Sequence, residues 1–159
     1  MKETTKSYTV QEAFQALCRY CVYQDRCHQE VEQKLIDMNM IPEARAQIIS
    51  DLIRHDFLNE ERFAMNYAMG KFNQKGWGKI RIRQELKRRK VSDFLLKKAL
   101  DQIEDRVYRK KIKDLAQKKF SQLGKDTSWK SKSKLKNYLM YKGFEPDIIY
   151  ETINNFMKF

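Results

Sequence analysis

Glycine and proline are scarce, with five Gly and two Pro in 159 residues. Turns and hairpins draw heavily on both, so the shortage points away from a β-rich chain and towards helix. Histidine is scarcer still. His28 and His55 are the two present, which leaves no paired His and carboxylate motif and no matched nucleophile for acid–base or covalent catalysis. A glycine-rich phosphate loop is also missing. No apolar run approaches the length of about 18 residues that a membrane span needs. Lys2, Glu3, Lys6 and Glu12 interrupt the first twenty residues, so no secretory leader is expected there. These absences predict a soluble, cytoplasmic chain that is not an enzyme, needs no cofactor and has no membrane partner.

Cysteine is confined to Cys18, Cys21 and Cys27. A C-x-x-C pair with His28 nearby invites a metal reading, but a zinc site needs four ligands at recognisable spacing and His55 is isolated. An odd count also speaks against a disulfide framework. Cys18 and Cys21 are then read as small core residues on an amphipathic helix, and no metal is expected.

Positive charge is what the chain has in excess. Its net charge of +12 is unevenly placed: residues 1–70 hold 8 basic and 11 acidic residues, residues 71–136 hold 23 and 7, and residues 137–159 hold 2 and 3. A block of +16 between near-neutral ends exceeds what solubility requires and predicts a polyanionic partner, nucleic acid or a nucleoprotein surface. Glu30, Glu32, Glu60 and Glu61 are read as helix-start charges or solvated faces.

Apolar residues recur with helical spacing along the whole chain. Thr9 and Glu12 have the capping-box form before a face of Ala13, Leu17, Tyr20 and Cys21. Cys27 opens a segment with Val31, Leu35 and Met38; Pro42 opens one with Ile48, Ile49, Leu52 and Ile53. Asn59 caps a helix that buries Phe63, Ala64 and Tyr67, with Phe63 and Tyr67 assigned to the core. Ile82 and Leu86 follow, then Ser92 before Leu95, Leu96, Ala99, Leu100 and Ile103. A long basic helix around 105–121 has Ile112, Leu115, Ala116 and Phe120 as its seam, Ser128 starts a helix through Leu135 and Leu139, and Glu145-Pro146 opens a last one with Ile149, Ile153 and Phe156.

Shifts of 51 and then 53 residues superpose these segments. Val31, Ile82 and Leu135 align, as do Leu35, Leu86 and Leu139; Met40, Val91 and Phe144; Ile49, Leu100 and Ile153; and Leu52, Ile103 and Phe156. The expected fold is therefore all-α, a tandem of three three-helix repeats forming an elongated, curved body, with boundaries at 1–57, 58–105 and 106–159. The repeat frame also resolves the stretch GWGKIRIRQELKRRK, residues 76–90. Its KIRIR core alternates like a strand, but Ile82 and Leu86 are an i, i+4 helical pair equivalent to Val31 and Leu35. On that helix Lys79, Arg83, Lys87 and Lys90 cluster on one side of the seam, with Arg81 and Arg88 on the other.

The segments RCHQEVEQKL (26–35), FLNEERFAMNY (57–67), GWGKIRIRQELKRRKV (76–91) and KLKNYLMYKGF (134–144) resemble successive repeats of the RecX family, bacterial modulators of the RecA recombinase. The resemblance runs from about residue 10 to 156, and LNEERFA is its most specific block. Cys27 stands where the family pattern favours Ser, Glu60 where Asp is usual, and Lys90 where Gly usually precedes Val91. The resemblance implies a non-enzymatic protein that binds along the groove of the RecA–DNA filament and restrains strand exchange, ATP hydrolysis and co-protease action, with consequences for DNA repair, recombination and the SOS response.

A monomer is expected, touching the recombinase filament and single- or double-stranded DNA mainly through phosphates. The residues expected to make these contacts are Lys75, Trp77, Lys79, Arg81, Arg83, Lys87, Arg88, Lys90, Lys130, Lys132 and Lys134. Trp77, Phe72 and Trp129 lie among the cations as candidates for stacking, while packing between repeats is an equal alternative for Trp77. A repressor-type reader would use the 76–90 helix in the major groove, yet Gln84 is its one amide side chain, so phosphate contact outweighs base readout. Sequence-independent binding to bare DNA is the alternative function.

Overall fold

The computed structural model describes residues 6–157, so Lys2 and Glu3 lie outside it. Among the described residues there are nine α-helices and no strand: α1 (Val10–Tyr23), α2 (His28–Asp37), α3 (Pro42–Arg54), α4 (Glu60–Gly70), α5 (Lys79–Arg88), α6 (Asp93–Asp101), α7 (Asp105–Gln122), α8 (Trp129–Lys142) and α9 (Pro146–Phe156). A π turn, Lys71–Lys75, continues α4.

The starts of the helices follow from their first residues. Thr9 accepts from the Glu12 N–H at 3.1 Å while Glu12 accepts from the Thr9 N–H at 3.2 Å, a complete capping box. Asn59, Ser92 and Ser128 accept from the N–H groups of Arg62, Leu95 and Ser131 in the same way. Pro42 and Pro146 occupy the first turns of α3 and α9, where a missing N–H costs nothing. Cys27 precedes α2 without a side-chain cap.

The repeat extends to the backbone. Val31 and Leu35, Ile82 and Leu86, and Leu135 and Leu139 are each wholly buried. The helices that carry them, α2, α5 and α8, end alike. Asn39, Lys90 and Gly143 take positive φ (60°, 60° and 96°). The next N–H groups, on Met40, Val91 and Phe144, bond back to the carbonyls of Leu35, Leu86 and Leu139 at 3.0, 3.1 and 3.2 Å. This is the Schellman ending, in which an apolar residue follows the left-handed one, and it recurs at the 51- and 53-residue spacing of the apolar columns.

Burial separates into two clusters. The smaller holds Ala13, Leu17, Val31, Leu35, Ile48 and Leu52 of α1–α3. The larger runs without a break through α4–α9 and includes Phe72, Ile82, Leu86, Tyr108, Ile112, Leu135, Leu139 and Phe144. Helices α1–α3 join the rest mainly through polar groups. Asp25 receives Arg62 at 3.0 Å and Asn66 at 2.7 Å, and Glu60 accepts the His28 N–H at 2.9 Å. Cys27 crosses the joint and is buried in the larger cluster, whereas Cys21 lies in the smaller one; burial pushes both thiols up to about 11.

Several assignments from periodicity need correction, among them Cys18, which is half-buried at the edge of the smaller cluster. Tyr67 is half-buried, with the Arg89 and Lys71 cations 4.8 and 5.4 Å from its ring centre, so it borders the core instead of filling it. On α3 the buried pair is Ile48 and Leu52; Ile49 is half-buried and Ile53 exposed, because the helix offers the core only a narrow stripe. The seam of α7 begins one turn earlier than Ile112, at wholly buried Tyr108, and its Leu115 and Phe120 are half-buried.

Replacing Leu86 by Asp places a charge in the larger cluster and is expected to cost more than about 4 kcal/mol. Helical circular dichroism should fall by more than the share of α4–α6 alone, since α7–α9 use the same core; a variant with native helicity would refute the shared core. Lys90→Gly relieves a left-handed, β-carbon-bearing residue and should raise stability by about 0.5–1 kcal/mol, read as a higher denaturant midpoint.

Candidate nucleic-acid interface

The basic segments meet where the start of α5 abuts the end of α8. The Gly78 N–H donates to the Lys142 carbonyl at 2.8 Å and the Ile80 N–H to the Gly143 carbonyl at 3.0 Å. First-turn donors of one helix thus satisfy last-turn acceptors of another, two sets that otherwise need water or side chains. Glycine is required on both sides. A β-carbon at Gly78 would overlap the Gly143 carbonyl, and one at Gly143 would overlap Arg81 while its φ of 96° disfavours any side chain. The N-terminus of α5 is therefore occupied by protein carbonyls and offers no open anion site.

Tyr108 holds the same junction from inside. Its ring packs between Phe72 and Phe144, with centroids 6.0 and 5.3 Å away. The hydroxyl accepts from the Lys79 N–H at 2.9 Å and donates to Glu145 at 2.8 Å. Burial drives the phenol's pKa well above its ordinary value; the Glu145 carboxylate adds to this and the Lys79 N–H opposes it. Tyr108 is accordingly a neutral donor at physiological pH.

Around this junction the expected site residues separate by environment. Arg81 is half-buried, its guanidinium 4.2 Å from the Trp77 ring centre and 4.7 Å from that of Tyr141, and it donates to the Tyr141 carbonyl at 3.3 Å. Trp77, also half-buried, takes Lys71 at 5.1 Å; both belong to the packing of the junction. Lys79 is half-buried with its ammonium 5.0 Å from the Tyr108 ring centre. Phe72 is wholly buried, which removes it as a stacking surface. Arg83, Lys87 and Lys90 are exposed, and so is Arg88, which pairs with Glu85 at 3.3 Å. Lys130 and Lys134 are exposed on α8, and Lys132 is half-buried.

Lys75 leads to residues that the sequence reading missed. It borders a recess of about 300 Å³ between the π turn, α7 and α8, lined also by Lys111, Lys118, Lys119, Lys142 and Tyr138. None of the described residues lining it is acidic. Lys119 and Lys142 lie 5.2 and 5.8 Å from the Tyr138 ring centre, and Lys142 is steadied by a 3.0 Å bond to the Lys75 carbonyl. Five ammonium groups around one concavity repel each other and favour an oxyanion between them. The spacing Lys111, Leu115, Lys118, Lys119, Gln122 places one face of α7 in the recess, so helical period was the available signal. The approach of Lys75 and Lys142 from outside that helix had none.

Gly143→Ala should break the junction and cost about 3 kcal/mol or more, through both the φ requirement and the overlap with Arg81. A melting temperature within a few degrees of the parent would mean that α5 and α8 do not meet backbone to backbone.

Comparison with known proteins accords with this architecture. Residues 59–100 match the family description of the second three-helix domain of RecX, and residues 106–153 that of the third. The chain is 33% identical over 117 residues to the regulatory protein RecX of Yersinia enterocolitica, spanning 74% of this chain and 68% of that protein. Against the RecX of Serratia proteamaculans the identity is 36% over 116 residues, 72% and 67% of the two chains. The crystal structure of RecX from Lactobacillus salivarius superposes with a TM-score of 0.83 at 28% identity, covering 92% of this chain and 96% of that one. A further RecX crystal structure, 24% identical with a TM-score of 0.81, is alike in fold.

Proposed function

The chain belongs to the RecX family of regulatory proteins, and on that premise we propose that it binds the RecA–DNA filament and restrains strand exchange, ATP hydrolysis and co-protease action. It does so in the cytoplasm, by occupancy and not by chemistry of its own, and thereby acts on DNA repair and the SOS response. The observation that carries this reading is the basic recess, together with the exposed cations of α5 and α8, two helices that one backbone junction joins. A rigid arrangement of cations loses little entropy on meeting a regular row of phosphates, and each contact releases counterions. Arg83, Lys87, Lys75 and Lys118 make such contacts, whereas Arg81 and Trp77 hold the junction that positions them.

Sequence-independent binding to bare DNA is the second reading. It is favoured by α5, whose exposed polar side chains are Arg83, Lys87 and Arg88 with Gln84 as the one amide; that composition suits phosphates and not base edges.

The two readings part in single-strand-dependent ATP hydrolysis by the recombinase, with this chain added well below one per recombinase subunit and DNA in excess. Inhibition at that ratio supports action on the filament. Inhibition only once the DNA is coated supports the second reading. In either case, reversing charge at Lys75, Arg83, Lys87 and Lys118 should leave circular dichroism unchanged. The slope of log affinity against log salt should fall by about one for each cation that meets a phosphate. An unchanged slope would remove these residues from the interface.

A further inference from the structure

On the face of α8 away from the lysine recess, a groove of about 450 Å³ runs between α8 and α9. Buried Ile149 and Ile153 form its floor. Trp129 stands at one end, 82% exposed, and Tyr150 on the α9 side, 68% exposed. Lys132 and Lys136 line the α8 side, one and two turns beyond Trp129. None of the described residues lining the groove is acidic, and α8 as a whole carries five lysines and no carboxylate. Two large aromatic side chains left open to solvent beside an apolar floor are costly to hydrate. Phe72 and Trp77, aromatic residues of the same basic block, are packed at the α5–α8 junction.

We infer that this groove is a site for unpaired nucleic-acid bases, with Trp129 as the stacking surface, Tyr150 as its opposite wall and the α8 lysines meeting the phosphates on either side. The inference rests on the nucleic-acid reading above and assigns it a second, chemically different contact. The recess takes phosphate alone, as any strand presents it; the groove takes an exposed base face, which a duplex keeps inside its stack. Charge selects the occupant. A second copy of this chain would bring another +12 to an already basic surface, and an apolar segment would bring no negative charge to it. A single strand supplies a π face for the indole and a phosphate for the ammonium groups within one repeating unit.

The test uses tryptophan emission of the full chain, with W129F as the control that retains Trp77. Oligothymidylate should quench the Trp129 component, while an abasic strand of the same length and a duplex should bind without quenching it. W129A should weaken oligothymidylate binding about tenfold, the loss of one stacked base. Binding of the duplex and abasic strand should stay within about twofold, and W129F should restore much of the lost affinity. Trp129 is exposed and the Ser128 cap of α8 comes from a neighbouring side chain, so W129A is expected to fold; its circular dichroism checks this. Equal quenching by all three nucleic acids, or an unchanged W129A affinity, would overturn the inference and leave the basic recess intact. A Trp129 emission shift that follows protein concentration without nucleic acid would overturn it in favour of a second copy in the groove. Failure to bind any of the three strands would overturn both it and the phosphate-contact reading.

Discussion

Gly78 and Gly143 let the first turn of α5 and the last turn of α8 touch backbone to backbone, and the arrangement of the C-terminal two-thirds of the molecule depends on that contact. Two helix ends, each with groups lacking intrahelical partners, complete one another through the Gly78–Lys142 and Ile80–Gly143 bonds. Arg81 then lies across Trp77 and Tyr141, and Tyr108 fills the space beneath, its hydroxyl held by the Lys79 N–H and by Glu145. Because the junction joins residues of two repeats, α4–α9 share one buried cluster. The basic faces of α5, α7 and α8 are thereby held in fixed register. Charge alone would not do this, since like charges on separate bodies move apart.

Local periodicity carried most of the fold. The i, i+4 pairs at 31/35, 82/86 and 135/139 are wholly buried, and the caps at Thr9, Asn59, Ser92 and Ser128 form as their residue types dictate. These features are decided within a few residues of chain. What sequence could not supply is decided between distant residues. Gly78 and Gly143 look like ordinary turn glycines until each is seen against the other. Tyr108 continues the 112–116 stripe by one turn, yet a tyrosine there reads equally well as surface; its two hydrogen-bond partners, 29 and 37 residues away, are what make burial affordable. The π turn after α4 shifts the register by one residue, and no residue type announces it.

The same distinction governs the site. A block of 23 basic residues in residues 71–136 was plain from composition, but composition does not separate cations that packing consumes from cations left to solvent. Arg81 and Lys79 lie against aromatic rings, while Arg83 and Lys87, a few residues on, face outward. Lys111, Lys118, Lys119 and Lys142 escaped notice because each is unexceptional on its own helix. They matter through the concavity that the π turn, α7 and α8 enclose together.

The two joints in the molecule differ in kind, and their salt dependence differs with them. Between α4–α6 and α7–α9 the bond is apolar burial around Tyr108, Phe72 and Phe144, which rising salt does not weaken. Between α1–α3 and the rest, Asp25 faces Arg62 and Glu30 faces Arg89 at 3.8 Å, with side chains about one-third exposed. Each such pair contributes little, of the order of 0.2–1 kcal/mol, and is screened as ionic strength rises. Cys27, wholly buried in the larger cluster, supplies the apolar part of that joint. The chain's charge asymmetry thus has an internal use besides any external one. Asp25 and Glu30 of the mildly acidic first unit meet Arg62 and Arg89, while none of the described residues lining the recess is acidic.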